Sequence, residues 1–123
     1  MSDVYELFRR GTALLESRDY HAATVALSRA RDLDPEPTSI REALGRALFH
    51  ARRYESAAEE FGAVAAGAPT NDYALFCLGR STQLLGRHRE ACKPLALACS
   101  LRPERADYRV YRDRARRDAR PSS

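Results

Sequence analysis

Glycine stands at positions 11, 45 and 79, and three other columns keep the same interval of thirty-four residues without an insertion or deletion. These columns are Ala23, Ala57 and Ala91; Leu27, Phe61 and Leu95; and Pro35, Pro69 and Pro103. A repeat of this length marks one supersecondary unit used several times, because a single small unit cannot bury its own apolar face and must stack on its neighbours. The copies run 4–37, 38–71 and 72–105, which is about the smallest number that closes a core.

Each copy holds two stretches of about a dozen residues with apolar side chains at helical spacing, such as Leu44, Leu48 and Ala51 followed by Ala57, Phe61 and Val64. The links between them are short: Ser17-Arg18-Asp19, Ala51-Arg52-Arg53 and Leu85-Gly86-Arg87. Links of that length permit only an antiparallel helical hairpin. The repeated glycine is expected to face the repeated alanine across the hairpin, since small residues let helix axes approach closely. Tyr20, Tyr54 and His88 are expected to plug the turns. Each closing proline stops the second helix and redirects the chain.

Two features depart from the pattern. Arg10 and Arg41 replace apolar residues, so their stems are expected to lie along the core with the charged heads in water. Pro94 falls inside a second helix, where it removes a backbone hydrogen bond, and a kink or a late start is expected there. After Pro103 a seventh helix is expected over residues 104 to about 118. Its apolar residues Tyr108, Val110, Tyr111 and Ala115 would cover the open end of the stack, leaving a disordered end at 121–123.

The thirty-four-residue period, the small residues at two fixed places, the bulky residue that follows them and the terminal proline together resemble the tetratricopeptide repeat. The resemblance covers residues 4 to about 118. It implies an all-α, right-handed α-solenoid of three helix-turn-helix hairpins plus a capping helix, forming a single domain over residues 1–123. It also implies a non-catalytic adaptor or scaffold whose first helices line a concave groove for a peptide or helix. Carried onto this chain, the groove positions are Tyr5, Phe8, Arg9 and Thr12 in the first copy and Glu42, Arg46, Phe49 and His50 in the second. They continue with Tyr73, Phe76, Cys77 and Arg80 in the third, and with Tyr111 and Arg114 beyond it. Arg46, Arg80 and Arg114 share one helical column and would form a ladder flanked by aromatics, so a partner with acidic and hydrophobic residues is expected. Relatives that grip heat-shock carboxylates do so with lysine, asparagine and arginine in columns that here hold Phe8, Thr12, Ala43, Tyr73 and Cys77. The resemblance therefore does not imply that role.

Charge is uneven along the chain. Residues 102–120 carry eight arginines against four acids, whereas residues 1–101 are balanced, so the whole net charge of +4 lies in the tail. A solvated outer face accounts for such a surplus. Two other functions compete with the groove: self-association through the first-hairpin edge near Leu7, Arg10 and Leu14, and nucleic-acid contact through the arginine-rich tail. Arginine outnumbers lysine twenty to one and alanine is abundant, a composition that fits a bacterial genome of high G+C content as readily as selection for phosphate.

Nothing in the sequence points to catalysis. His21, His50 and His88 are far apart, the carboxylate pairs Glu59-Glu60 and Asp32-Asp34 sit where solvated acids are expected, and the glycines are spaced for helix packing rather than for cradling phosphate. Cys77, Cys92 and Cys99 lack the paired spacing of a zinc site, so reduced thiols and no metal or cofactor are expected. Charges from Asp3 onward and the absence of any long apolar run predict a cytoplasmic protein with neither leader nor membrane span.

Overall fold

A computed structural model describes residues 3–121, which form seven α-helices and, among the described residues, no strand. These are α1 (Val4–Glu16), α2 (Tyr20–Leu33), α3 (Thr38–His50), α4 (Tyr54–Gly67), α5 (Asp72–Leu84), α6 (His88–Leu101) and α7 (Ala106–Asp118). The first helix of every hairpin begins thirty-four residues after the previous one, and so does the second. α7 keeps this register and occupies the place of a fourth first helix, two residues later than the sequence suggested. The residues beyond 121 that were expected to be disordered lie outside the described residues.

The helix boundaries follow from local chemistry. Side-chain carboxylates or amides cap three N-termini: Asp3 accepts from the amide of Glu6 at 2.8 Å, Asp19 from that of Ala22 at 3.3 Å, and Asn71 from that of Ala74 at 3.1 Å. Second helices end at Leu33, Gly67 and Leu101, each two residues before a proline, because the residue preceding proline is driven out of the helical region. First helices end differently. The amide of Asp19 donates to the carbonyl of Leu14 at 2.9 Å and that of Arg18 to Leu15 at 3.1 Å. The same pair recurs as Arg53 to Leu48 with Arg52 to Phe49, and as Arg87 to Thr82 with Gly86 to Gln83. These are Schellman closures, which need one residue in the left-handed region. Arg18 (φ 65°), Arg52 (φ 63°) and Gly86 (φ 80°) supply it, and glycine does so only in the third copy.

The contacts divide the chain within α4 into two units, residues up to Glu60 and residues from Phe61. In the first unit, Leu7, Ala30 and Ile40 form a buried cluster with Val4 and Phe8 packed on it. The second unit repeats these columns as Leu75, Ala98 and Tyr108, joined by Cys99 and flanked by Phe76 and Ala65. Beside that cluster, Ala91, Leu95 and Ala115 are buried against Phe76, Cys92 and Tyr111. The Tyr108 ring stacks on Phe76 at 4.5 Å and its hydroxyl donates to Asp72 at 2.6 Å. Burial, with the Asp72 carboxylate beside it, pushes this phenol well above its ordinary pKa. α7 thus covers α6 with Tyr108 and Ala115, whereas Val110, expected to share that task, is 53% exposed on the opposite side.

Other expectations are refined or corrected. The repeated glycine meets the bulky column of the second helix. A Cβ at Gly11 would lie 2.5 Å from Leu27 Cγ, and one at Gly79 would lie 2.5 Å from Leu95 Cγ. In the first and third copies the glycine is thus the slot into which the bulky side chain inserts. Pro94 does not delay its helix, since α6 starts in register at His88 and continues to Leu101 with proline inside it. Glu60 is not solvated. It is 5% exposed and accepts from Arg31 Nη1 at 2.6 Å and Arg41 Nη1 at 3.0 Å. Arg41 therefore does not leave its head wholly to water: its side chain is 27% exposed, Nη1 meets Glu60 and Nε donates to the carbonyl of Pro35 at 2.9 Å.

Three predictions follow from these contacts. Gly79→Ala should lower stability by about 1–3 kcal/mol through overpacking against Leu95, overriding the roughly 1 kcal/mol helix-propensity advantage of alanine. Urea unfolding measures the sign, and stabilisation would show that the close approach is not limiting. Arg52→Gly should stabilise by a few tenths to about 1 kcal/mol. The left-handed penalty of about 1–2 kcal/mol exceeds the roughly 0.4–1 kcal/mol of extra unfolded-state entropy that glycine brings. A lower denaturation midpoint would contradict this reading. Finally, removing both Arg31 and Arg41 as alanines should cost about 3–5 kcal/mol, because it strands a buried charge. Glu60→Ala should cost less, because both arginines reach solvent, so equal losses would mean that Glu60 is not the buried member.

Candidate peptide-binding faces

In the first unit α1 and α3 touch, and in the second α5 and α7 do. Each pair of first helices presents a face carrying the positions singled out from the sequence, and the two faces are described separately.

On the first unit, Tyr5 is 68% exposed and Arg9 lies over its ring at 5.7 Å. Phe8 is half-buried because its ring packs on the Leu7, Ala30 and Ile40 cluster. Thr12 turns its hydroxyl back onto the carbonyl of Arg9 at 3.0 Å, as a helical threonine does. From α3, Glu42 is half-buried and Arg46 is exposed. Phe49 packs its edge against Tyr54 at 5.4 Å and His50 at 5.9 Å. The His50 ring stacks on Tyr20 at 4.8 Å. Burial, reinforced by Arg46 and Arg18, pushes His50 below the usual imidazole range, so the ring is neutral at pH 7.

On the second unit, Tyr73 remains exposed and meets Phe61 edge-on at 6.2 Å. Phe76 is half-buried between Tyr108 and Tyr111, so most of its ring serves the core rather than a ligand. Cys77 is half-buried and in no disulfide, and its carbonyl accepts from the Ser81 hydroxyl at 2.8 Å. The clearest grouping surrounds Tyr111. The Arg80 guanidinium lies 3.9 Å from its ring centroid and that of Arg114 lies 5.0 Å away. Arginine prefers such a face because its planar cation is weakly hydrated and attracted by the ring quadrupole. Arg80 also donates to Gln83 Oε1 at 2.7 Å, and Gln83 Nε2 donates to the carbonyl of Tyr111 at 3.2 Å. The structure therefore joins Arg80 to Tyr111 through buried Gln83, with Arg114 over the same ring. In the sequence Gln83 shares a groove column with Leu15 and Phe49, and its lone amide there signals the polar network, since a buried amide needs polar partners.

Arg9, Arg46 and Arg114 make no ion pair with any described residue. Among the described residues, no cluster of three or more histidine, cysteine, aspartate or glutamate side chains could hold a metal ion. Nor is any helix long and apolar enough to cross a membrane.

Comparison with known proteins locates this arrangement. The tetratricopeptide repeat family model matches residues 8–73. MamA from AMB-1 superposes with a TM-score of 0.86 at 24% identity, covering 94% of this chain and 63% of that one, so the chain spans less than two thirds of that relative. The Arabidopsis OM64 TPR domain gives 0.83 at 18% identity, with 93% and 94% covered. The first TPR of Spaghetti (RPAP3), solved with the HSP90 peptide SRMEEVD, gives 0.85 at 16% identity, with 94% and 91% covered. A search of curated protein sequences returned no significant match. With the repeat register, the seven helices and the family match in agreement, the chain belongs to the tetratricopeptide repeat family, whose fold is a protein–protein interaction module.

Proposed function

We propose that the chain is a non-catalytic adaptor that holds a peptide or helix bearing acidic residues and apolar anchors on the faces of its first helices. The observation that carries this reading is the pairing of arginine outside any ion pair with an aromatic ring: Arg9 with the exposed Tyr5 on the first unit and Arg114 with the half-buried Tyr111 on the second. A carboxylate docked there gains charge-assisted hydrogen bonds from a guanidinium already oriented by a ring. The neighbouring aromatic supplies apolar burial at low cost in side-chain freedom. Arg46 extends the basic character of the first face, beside a neutral His50.

The peptide held by the Spaghetti domain, SRMEEVD, is itself acidic. The columns of the heat-shock clamp here hold Phe8, Thr12, Ala43, Tyr73 and Cys77, so a different acidic segment is the expected partner. Free thiols at Cys77, Cys92 and Cys99 suit a reducing compartment, for which the cytoplasm is the simplest choice.

The test is selection of ligands from a peptide library against the intact chain, followed by fluorescence anisotropy with charge-reversed variants. Arg46→Glu combined with Arg114→Glu should weaken a selected acidic peptide at least a hundredfold, and Tyr5→Ala or Tyr73→Ala by roughly thirtyfold, which is about 2 kcal/mol. Circular dichroism should remain unchanged, since these side chains are exposed. Undiminished affinity in all variants would remove the first-helix faces as the working surface.

A further inference from the structure

The first hairpin carries an unfilled apolar trough on its outer side, away from the residues assigned above. Leu7 and Leu14 of α1 and Val25 of α2 line a depression of about 360 Å³, which continues past Arg29 to Leu33. Val25 is 46% and Leu33 61% exposed. On α2 the lining residues Ala22, Val25, Ala26, Arg29 and Leu33 recur every three to four positions, one stripe along about 16 Å of helix at 1.5 Å per residue. Beside these aliphatic residues the trough is lined by Arg10, His21 and Arg29, and the positions equivalent to Arg10 and Leu14 in the next copy, Leu44 and Leu48, are buried.

The charges around the trough identify the occupant. Arg10 from α1 and Arg29 from α2 line it, and neither forms an ion pair with any described residue. Asp32, which lines the far end of the trough, is taken by Arg31 at 2.9 Å. Two copies meeting face to face would gather Arg10 and Arg29 of both copies in one interface, and like charges across a desolvated interface are repelled. An aliphatic stripe with carboxylates along its edges would instead satisfy both arginines while burying Leu14, Val25 and Leu33. The trough is three helical turns long and straight, the dimensions of a ridge packing between two helices.

We infer that the outer face of the first hairpin is a second docking surface, which takes an amphipathic helix of a partner protein whose apolar stripe is flanked by glutamate or aspartate.

A displayed library of helices with a fixed leucine stripe and randomised flanking positions, panned against the intact chain, tests this. Acidic residues should be enriched at the flanks. A selected helix should lose at least tenfold in affinity with Val25→Asp, and likewise with Arg10→Gln combined with Arg29→Gln, while Arg46→Glu combined with Arg114→Glu leaves its binding unchanged. Because all the altered side chains are at the surface, circular dichroism should show the parent helicity, and Arg29→Lys should retain most of the affinity. The inference is overturned if no flanking acid is enriched, or if the selected helices respond only to Arg46→Glu and Arg114→Glu. It is equally overturned if ultracentrifugation shows a dimer that Val25→Asp dissociates, which would make a second copy the occupant. Loss of the first-helix faces as a binding surface would leave this result untouched, because the two sets of variants share no residue.

Discussion

In the first and third hairpins a leucine packs directly onto a glycine. Leu27 sits over Gly11 and Leu95 over Gly79 at distances that leave no room for a methyl group. This contact sets how near the two helices lie, and other packing follows from it. With the axes drawn together, Ala23 and Ala91 are fully buried, and Ala30 and Ala98 reach the clusters that join these hairpins to the next first helix. A close-packed interior tolerates little change in volume. The spacing of thirty-four residues is therefore the distance along the chain at which the same slot must be presented again.

Arginine does several different jobs in this chain, and composition alone does not separate them. Arg18 and Arg52 close helices in a backbone region that favours glycine. Arg31 and Arg41 neutralise a buried carboxylate. Arg105 lies over Tyr108 and Arg80 over Tyr111, where the rings orient the cations. Arg105 also grips Asp107, whose carboxyl is held below its usual pKa as a result. Only a subset, including Arg9, Arg10, Arg29, Arg46 and Arg114, carries charge that nothing described in the chain offsets. The basic balance is thus partly structural and partly offered to partners.

What could be read from the sequence was whatever the period carried. Helix number, the starts of six helices and the stops before Pro35, Pro69 and Pro103 all repeat, and they were legible for that reason. Features that break the repeat were not. Glu60 has no acidic counterpart at positions 26 or 94, where alanine and proline stand, and its burial depends on two arginines nineteen and twenty-nine residues away. The exposure of Val110 against the burial of Tyr108 and Ala115 is a matter of helix rotation, which an apolar residue on the margin of a stripe does not determine. The place of Leu27 over Gly11 was not legible either, because the sequence shows that a small residue is needed without showing which side chain presses against it. Among the site positions, Phe76 illustrates the same ambiguity: an aromatic on a first helix serves a ligand or a core equally well until the ring's neighbours are known.

The buried clusters also bear on how quickly the chain can fold. Leu7 finds Ile40, and Leu75 finds Tyr108, across about one repeat of intervening chain, and the residue between them, Ala30 or Ala98, lies on the helix that makes the connection. Every cluster thus closes a short loop whose entropy is small, and most other contacts are more local still. A topology of this kind belongs with the proteins of low contact order, which fold in microseconds to milliseconds. Because the same cluster is written once in each half, either half contains a complete nucleus of its own, and a lesion in one leaves the other able to begin.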